Sequence, residues 1–135
     1  MNSLHKSLKS KRLILIAVAF LLLNTSVLGH ADTSIEFQLA LEAYEKGDYK
    51  AAYTMFKPLA EQGDHDAQFC LGVMHANGYG VPKDYIQAHM WLNLAGMGGD
   101  KKTEELRDFV EKHMTPFDIS ASQKLAREWM KEHAK

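Results

Sequence analysis

Seven histidines stand in a chain of 135 residues. Five of them, His65, His75, His89, His113 and His133, fall where a folded domain can be drawn. Imidazole is the commonest protein ligand for a metal ion, so metal binding is the first chemistry to weigh. A zinc site needs three or four converging donors. No two of these histidines are four residues apart around a glutamate, the spacing that marks a zinc-binding helix. His75 and His89 fall on facing helices, and with a carboxylate nearby they form the best candidate set. The plainer expectation puts His75 in the core and His89 on a partly exposed face. Neither a metal nor another cofactor is expected.

Other reactive groups lead no further. Glu104 and Glu105 are adjacent on a helix and point different ways. Asp64 and Asp66 suit the start of a helix, where the backbone dipole favours negative charge. Asn77-Gly78-Tyr79-Gly80 is glycine-rich, but no Lys-Ser or Lys-Thr follows to complete a phosphate loop. No nucleophile elbow or dinucleotide fingerprint occurs. Cys70 is the single cysteine and has no charged or histidine neighbour in sequence. It is expected buried or half-buried as a small apolar residue. The tyrosines and tryptophans recur at helical spacing and read as core, Tyr79 in a loop excepted. No catalytic residue is assigned, and the chain does not read as an enzyme.

The elements that must hold these residues begin after an address. Lys6, Lys9, Lys11 and Arg12 precede Leu13 to Leu23, an unbroken apolar run of 11 residues. A membrane-spanning helix needs roughly 20. Gly29-His30-Ala31 then places small residues at the −3 and −1 positions of a cleavage site. Residues 1–31 are therefore expected to be a signal peptide that meets the membrane only in transit. Export to the periplasm or the medium follows, and residues 32–135 form the domain. Losing four basic residues leaves 12 Lys and Arg against 17 Asp and Glu, a formal −5. That balance argues against nucleic acid, which needs a basic face.

Six helices and no strand can be drawn in the rest. Thr33-x-x-Glu36 resembles a capping box opening the first, with Phe37, Leu39, Ala40, Leu41, Ala43 and Tyr44 on its apolar face. Gly47 ends it. Asp48 caps the second, which buries Tyr49, Ala52, Tyr53, Phe56, Leu59 and Ala60 and contains Pro58, expected to bend it. The third carries Ala67, Phe69, Cys70, Leu71, Met74 and His75. Asp84 caps the fourth, with Tyr85, Ala88, Trp91, Leu92 and Ala95. The fifth runs from about Lys101 to His113 with a stripe of Leu106, Phe109, Val110 and Met114. Thr115-Pro116 opens the sixth.

The arrangement repeats. Asp48, Tyr49, Ala52, Gly63 and Asp64 return as Asp84, Tyr85, Ala88, Gly99 and Asp100, each pair 36 residues apart. A period of that length marks stacked supersecondary units that cannot bury their apolar faces alone. Ala67-Gln68-Phe69, Leu71-Gly72, Met74, Asn77-Gly78, Gly80-Val81-Pro82, Asp84-Tyr85, Ala88, Trp91 and Leu94-Ala95 resemble the Sel-one-like repeat, a relative of the tetratricopeptide repeat. Residues 65–99 match one repeat nearly end to end. Residues 36–64 resemble a shortened repeat, and residues 100–135 resemble the helices that cap such arrays. Three positions depart from the family's pattern: His75 for an aromatic, Cys70 for asparagine and Gly96 for alanine.

The resemblance implies an all-α fold, a short solenoid of antiparallel helix pairs wound as a right-handed superhelix with C-terminal capping helices. Ala67, Leu71, Gly72, Gly78, Gly80, Val81, Asp84, Tyr85, Ala88, Trp91 and Ala95 would define the repeat. It also implies an adaptor or scaffold that binds a protein partner in a concave groove. Polar and aromatic groups that the core does not need, Gln38, Glu42, Glu45, Gln68, Tyr79 and Lys83, are the expected contacts. A small-molecule or peptidoglycan-binding module of the envelope is the alternative. So few repeats stack marginally, so the last two helices should cap the array, or the domain should form a homodimer.

Overall fold

The computed structural model describes residues 31–134, which hold six α-helices, one short 3-10 turn and no strand. They are α1 (Ala31–Glu45), α2 (Tyr49–Glu61), α3 (His65–Asn77), α4 (Tyr85–Ala95), α5 (Lys101–Glu111) and α6 (Pro116–Glu132). Gly96–Gly98 form the 3-10 turn after α4. Ile35–Lys135 make up one compact unit. The expected signal peptide lies outside the described residues, its last residue excepted.

Four aspartates explain why the sequence repeats. Asp48, Asp64, Asp84 and Asp100 are the N-caps of α2, α3, α4 and α5. Each carboxylate accepts from the backbone N–H three residues on: Ala51 at 3.1 Å, Ala67 at 2.8 Å, Gln87 at 3.0 Å and Thr103 at 3.2 Å. A carboxylate there satisfies an orphan donor and meets the positive end of the helix dipole. Thr115 caps α6 in a complete capping box with Asp118. Thr33, expected to cap α1, lies inside that helix, because Ala31 and Asp32 are already helical.

Helix ends are equally local. At Gly63, φ is +95°, and the N–H groups of Gly63 and Asp64 donate to the carbonyls of Ala60 and Leu59. This is a Schellman stop, which glycine's freedom at positive φ permits. Pro58 is exposed and stands inside α2, which nevertheless continues to Glu61. The fifth helix stops at Glu111, two residues short of the expected His113.

Helix α4 is the hub: it packs on α3, α5 and α6, while α2 packs on α3. Three neighbours leave it almost no free face, so Ala88, His89, Met90, Trp91, Leu92, Leu94 and Ala95 are all buried. The α3–α4 crossing is tight because of Gly72. A Cβ added there would sit 2.7 Å from the Leu92 side chain and 3.4 Å from the Ala88 carbonyl. Phe56, Leu59, Leu71, Met74 and Leu94 fill the main core, and Trp91 meets Trp129 of α6 edge-on at 6.2 Å. A second cluster joins Ala76, Ala88 and Leu92 to Val110 of α5. Phe109, expected in that stripe, is 53% exposed and leans on His113. The α5 face that meets α4 is the Thr103, Leu106, Val110 row, one position away from Phe109.

The glycine loop after α3 folds back onto α2. Tyr79 stacks on Tyr49 with ring centres 4.4 Å apart, and Tyr44 of α1 meets both edge-on. Gly80 makes this possible: its φ is +72°, and any Cβ would collide with the Tyr49 carbonyl. The loop therefore ties one helix pair to the next.

Candidate functional site

Two depressions flank the exposed side of α3 and share Phe69. The first, about 130 Å³, lies between α1 and α3 and is lined by Leu41, Tyr44, Phe69, Cys70 and Val73. The second, about 430 Å³, lies between the N-terminal ends of α3 and α5. It is lined by His65, Asp66, Phe69, Ala95, Gly98, Asp100, Lys102 and Thr103. Phe69, Cys70 and Val73 are half-buried, at positions 69, 70 and 73 of one helical face. Phe69 also packs against the Ala76, Ala88, Leu92 and Val110 cluster, while Leu71, Gly72 and Ala76 take the α4 seam.

Cys70 is a structural thiol. Burial first, and then the Asp66 and Asp64 carboxylates, push its pKa up to about 12. A protonated thiol is a poor nucleophile, so this cysteine lacks the activation that catalysis demands.

The six expected contact residues separate. Gln38, Glu42 and Glu45 are exposed on α1, sharing its outer side with Ile35 and Leu39. Glu42 pairs with Lys46 at 2.5 Å. Lys83 is exposed in the α3–α4 connection, its ammonium 4.9 Å from the Tyr85 ring centre, and it lines neither depression. Tyr79 is half-buried in the tyrosine stack. Gln68 must be removed from the set. It is 1% exposed, its amide donates to the Ala60 carbonyl at 3.1 Å, and its carbonyl lies 3.2 Å from His65 Nδ1. A side chain used to bridge α2 and α3 has no polar group to offer a partner.

The residues expected to define the repeat occupy its seams and turns. Ala67, Leu71, Gly72, Ala88, Trp91 and Ala95 are buried. Gly78 and Gly80 take positive φ, Val81 is half-buried between them and Pro82, and Asp84 caps α4. Tyr85 stacks on His113 at 5.2 Å.

His89 departs furthest from expectation. It is fully buried, not partly exposed. Its Nδ1 lies 2.6 Å from Ser122 Oγ and 3.1 Å from the Asn93 amide, and its Nε2 donates to Glu111 Oε1 at 2.7 Å. Serine, histidine and glutamate in hydrogen-bond sequence have the form of a nucleophile, base and orienting acid. Yet Ser122 is also fully buried and its hydroxyl donates to the Ile119 carbonyl at 2.7 Å. No substrate reaches it while the helices stay packed. The network is a clamp that fixes α5 and α6 to α4. One sequence signal pointed to it: α4 is apolar almost all round, the mark of a buried helix.

His75 is the opposite case. It is buried, meets Tyr53 edge-on at 5.7 Å, and neither ring nitrogen has a hydrogen-bond partner among the described residues. Burial pushes its pKa down, partly offset by Asp84. Among the described residues no three histidines, cysteines or carboxylates cluster as a metal site, so His75 and His89 are not brought together as ligands.

A helical array built on a 36-residue period defines a helical-repeat protein. The Sel1 repeat model matches residues 36–64 and 65–100. The chain belongs to the Sel1-like repeat family, whose members are generally protein-interaction modules, not catalysts. Among solved structures, a protective antigen of uropathogenic Escherichia coli strains displaying an SLR fold is similar. The TM-score is 0.67 at 28% identity over 76% of this chain. The chain spans 23% of that protein's length. No curated protein matches the sequence.

Proposed function

We propose that this chain is an exported adaptor that grips a protein partner in a groove along the first helices of its two repeats, α1 and α3. One observation carries the reading. Leu41, Tyr44, Phe69, Cys70 and Val73 leave an apolar depression open, while the faces of α3 toward α2 and α4 are consumed by packing. Stacked helix pairs curve and create extended binding surfaces of this kind. Gln38 and Glu45 flank the groove on α1 and are its natural polar rim. Among the described residues no helix is long and apolar enough to cross a membrane. Export rests on the basic head, the short apolar run and the Gly29-His30-Ala31 end of the sequence.

The test is an in-cell cross-linking pull-down of the tagged full chain, compared with Val73→Glu in the groove and Gly72→Leu in the fold. A partner held by the wild type and lost by Val73→Glu, with the melting temperature of that variant retained, supports an adaptor. Recovery of the chain alone overturns it. Mass spectrometry of the same sample reads the mature N-terminus, and a start at Met1 refutes cleavage after Ala31. A second reading, a small-molecule or peptidoglycan-binding module, draws on the 430 Å³ depression, which is within the usual size of a ligand pocket. It requires a ligand-dependent rise in melting temperature.

A further inference from the structure

We infer that the groove selects a segment carrying one aliphatic side chain with lysine or arginine beside it, an inference that rests on the adaptor reading above. The two depressions divide the work. The one between α1 and α3 has walls of apolar side chain, the Tyr44 ring and the Cys70 thiol, and holds about 130 Å³. That suits a single aliphatic group, not a ring system or a sugar. An aliphatic side chain seated there adds apolar burial at roughly 25 cal/mol per Å².

Beyond Phe69 the lining changes from apolar to charged. Asp66 and Asp100 face the second depression, with Lys102 the one Lys or Arg of its described lining. Asp64 adds a carboxylate at the start of α3, and its charge and that of Asp66 reach the Cys70 thiol in the slot. Glu45, exposed on α1 beside Leu41, adds a fourth. The N-termini of α3 and α5 oppose these charges with only about half a unit each. The balance stays negative. An apolar slot flanked by a net negative charge complements a segment that is apolar at one position and cationic at its neighbours. The same field disfavours acidic peptides and nucleic acid, where like charges cost affinity.

Phe69 fixes the spacing. It forms part of both depressions, so the aliphatic and the cationic side chains fall on either side of one ring. In an extended segment that separation spans a few residues.

The test is to pan a random dodecapeptide phage library against the full chain, then measure an enriched peptide by fluorescence anisotropy. The expected peptides carry Leu, Ile, Val or Met within four residues of Lys or Arg. Binding should weaken about tenfold in Asp66→Lys with Glu45→Lys, and fall as salt screens the charges. Val73→Trp should fill the slot and weaken binding by a similar factor. Should that variant fail to fold, Leu41→Trp on the opposite wall of the slot provides a second readout and should weaken binding likewise. Enrichment of acidic or uncharged sequences, no enrichment, or binding indifferent to both the charge variant and the slot variant would each overturn the inference. If a cross-linked partner is held as firmly by Asp66→Lys/Glu45→Lys as by the wild type, the adaptor stands and this selectivity falls. If neither partner nor peptide binds, both fall.

Discussion

The two seams of α4 are built on different physics. Toward α3 the contact is dry and set by size: Gly72 lets the Leu92 side chain lie where a Cβ would be. Toward α5 and α6 the contact turns polar at its centre, where His89 holds Glu111 and Ser122. The first seam lies within the full repeat and tolerates no added volume. The second occurs where the repeat ends, and it tolerates no lost partner. A repeat array needs the first kind to propagate. It needs something else to stop, because a further apolar face would invite another unit. The polar clamp binds the capping helices without repeating the repeat's own surface.

The largest expected effect is on the dry seam. Gly72→Leu overpacks α3 against Leu92 and should cost about 1–3 kcal/mol or more. A thermal melt followed by circular dichroism reads this directly, and an unchanged melting temperature means the seam is not size-limited. Next comes the polar seam. His89→Ala removes the hydrogen bonds to Ser122 and Glu111 and leaves a cavity in the buried α4, at about 1–3 kcal/mol. A double-mutant cycle with Glu111→Ala sharpens the comparison: coupling near zero would show that the clamp is not one unit.

His75 supplies a milder contrast, since it is buried without partners. His75→Phe replaces an orphaned polar ring with an apolar one and should stabilise by about 1 kcal/mol. The sign with pH follows from its lowered pKa. Below the unfolded value of about 6.5 the unfolded chain binds a proton that the native state refuses. Stability from this residue is therefore present at neutral pH and is lost as pH falls from about 6.5 toward the folded pKa. Urea titrations at pH 7.5 and pH 5.5 should show the wild type losing more stability than His75→Phe; equal losses would falsify the assignment. The smallest effect belongs to the open face of α1. Gln38→Ala should change stability by less than about 0.5 kcal/mol, and a larger drop would show that this face is already packed.

Much of this was legible along the chain. The four capping aspartates, the glycine stops and the 36-residue return are local features, and each acts within one turn of its own position. Gly72 and Ala88 could be assigned to a helix crossing because small residues at helical spacing have few other uses. The groove was legible only in outline. Glu45 and Gln38 lie beside it, but Phe69 was placed on the packed face and Val73 was not singled out, since the third helix has apolar residues on more than one side. Gln68 failed as a contact for the same reason in reverse. It is polar, and nothing near it in sequence announces that the Ala60 carbonyl needs its amide.

The sequence by itself determined the helices, their caps and stops, the period and the family, because these depend on backbone donors, dihedral freedom and spacing within a few residues. Only the tertiary structure decided that His89 is a buried clamp, that His75 is buried alone, that Phe109 faces water and that α3 keeps one apolar face open. Those outcomes depend on which helix arrives from 20 or 30 residues away and at what angle. The energy of a polar or apolar side chain is set by that neighbour, not by its own place in the chain.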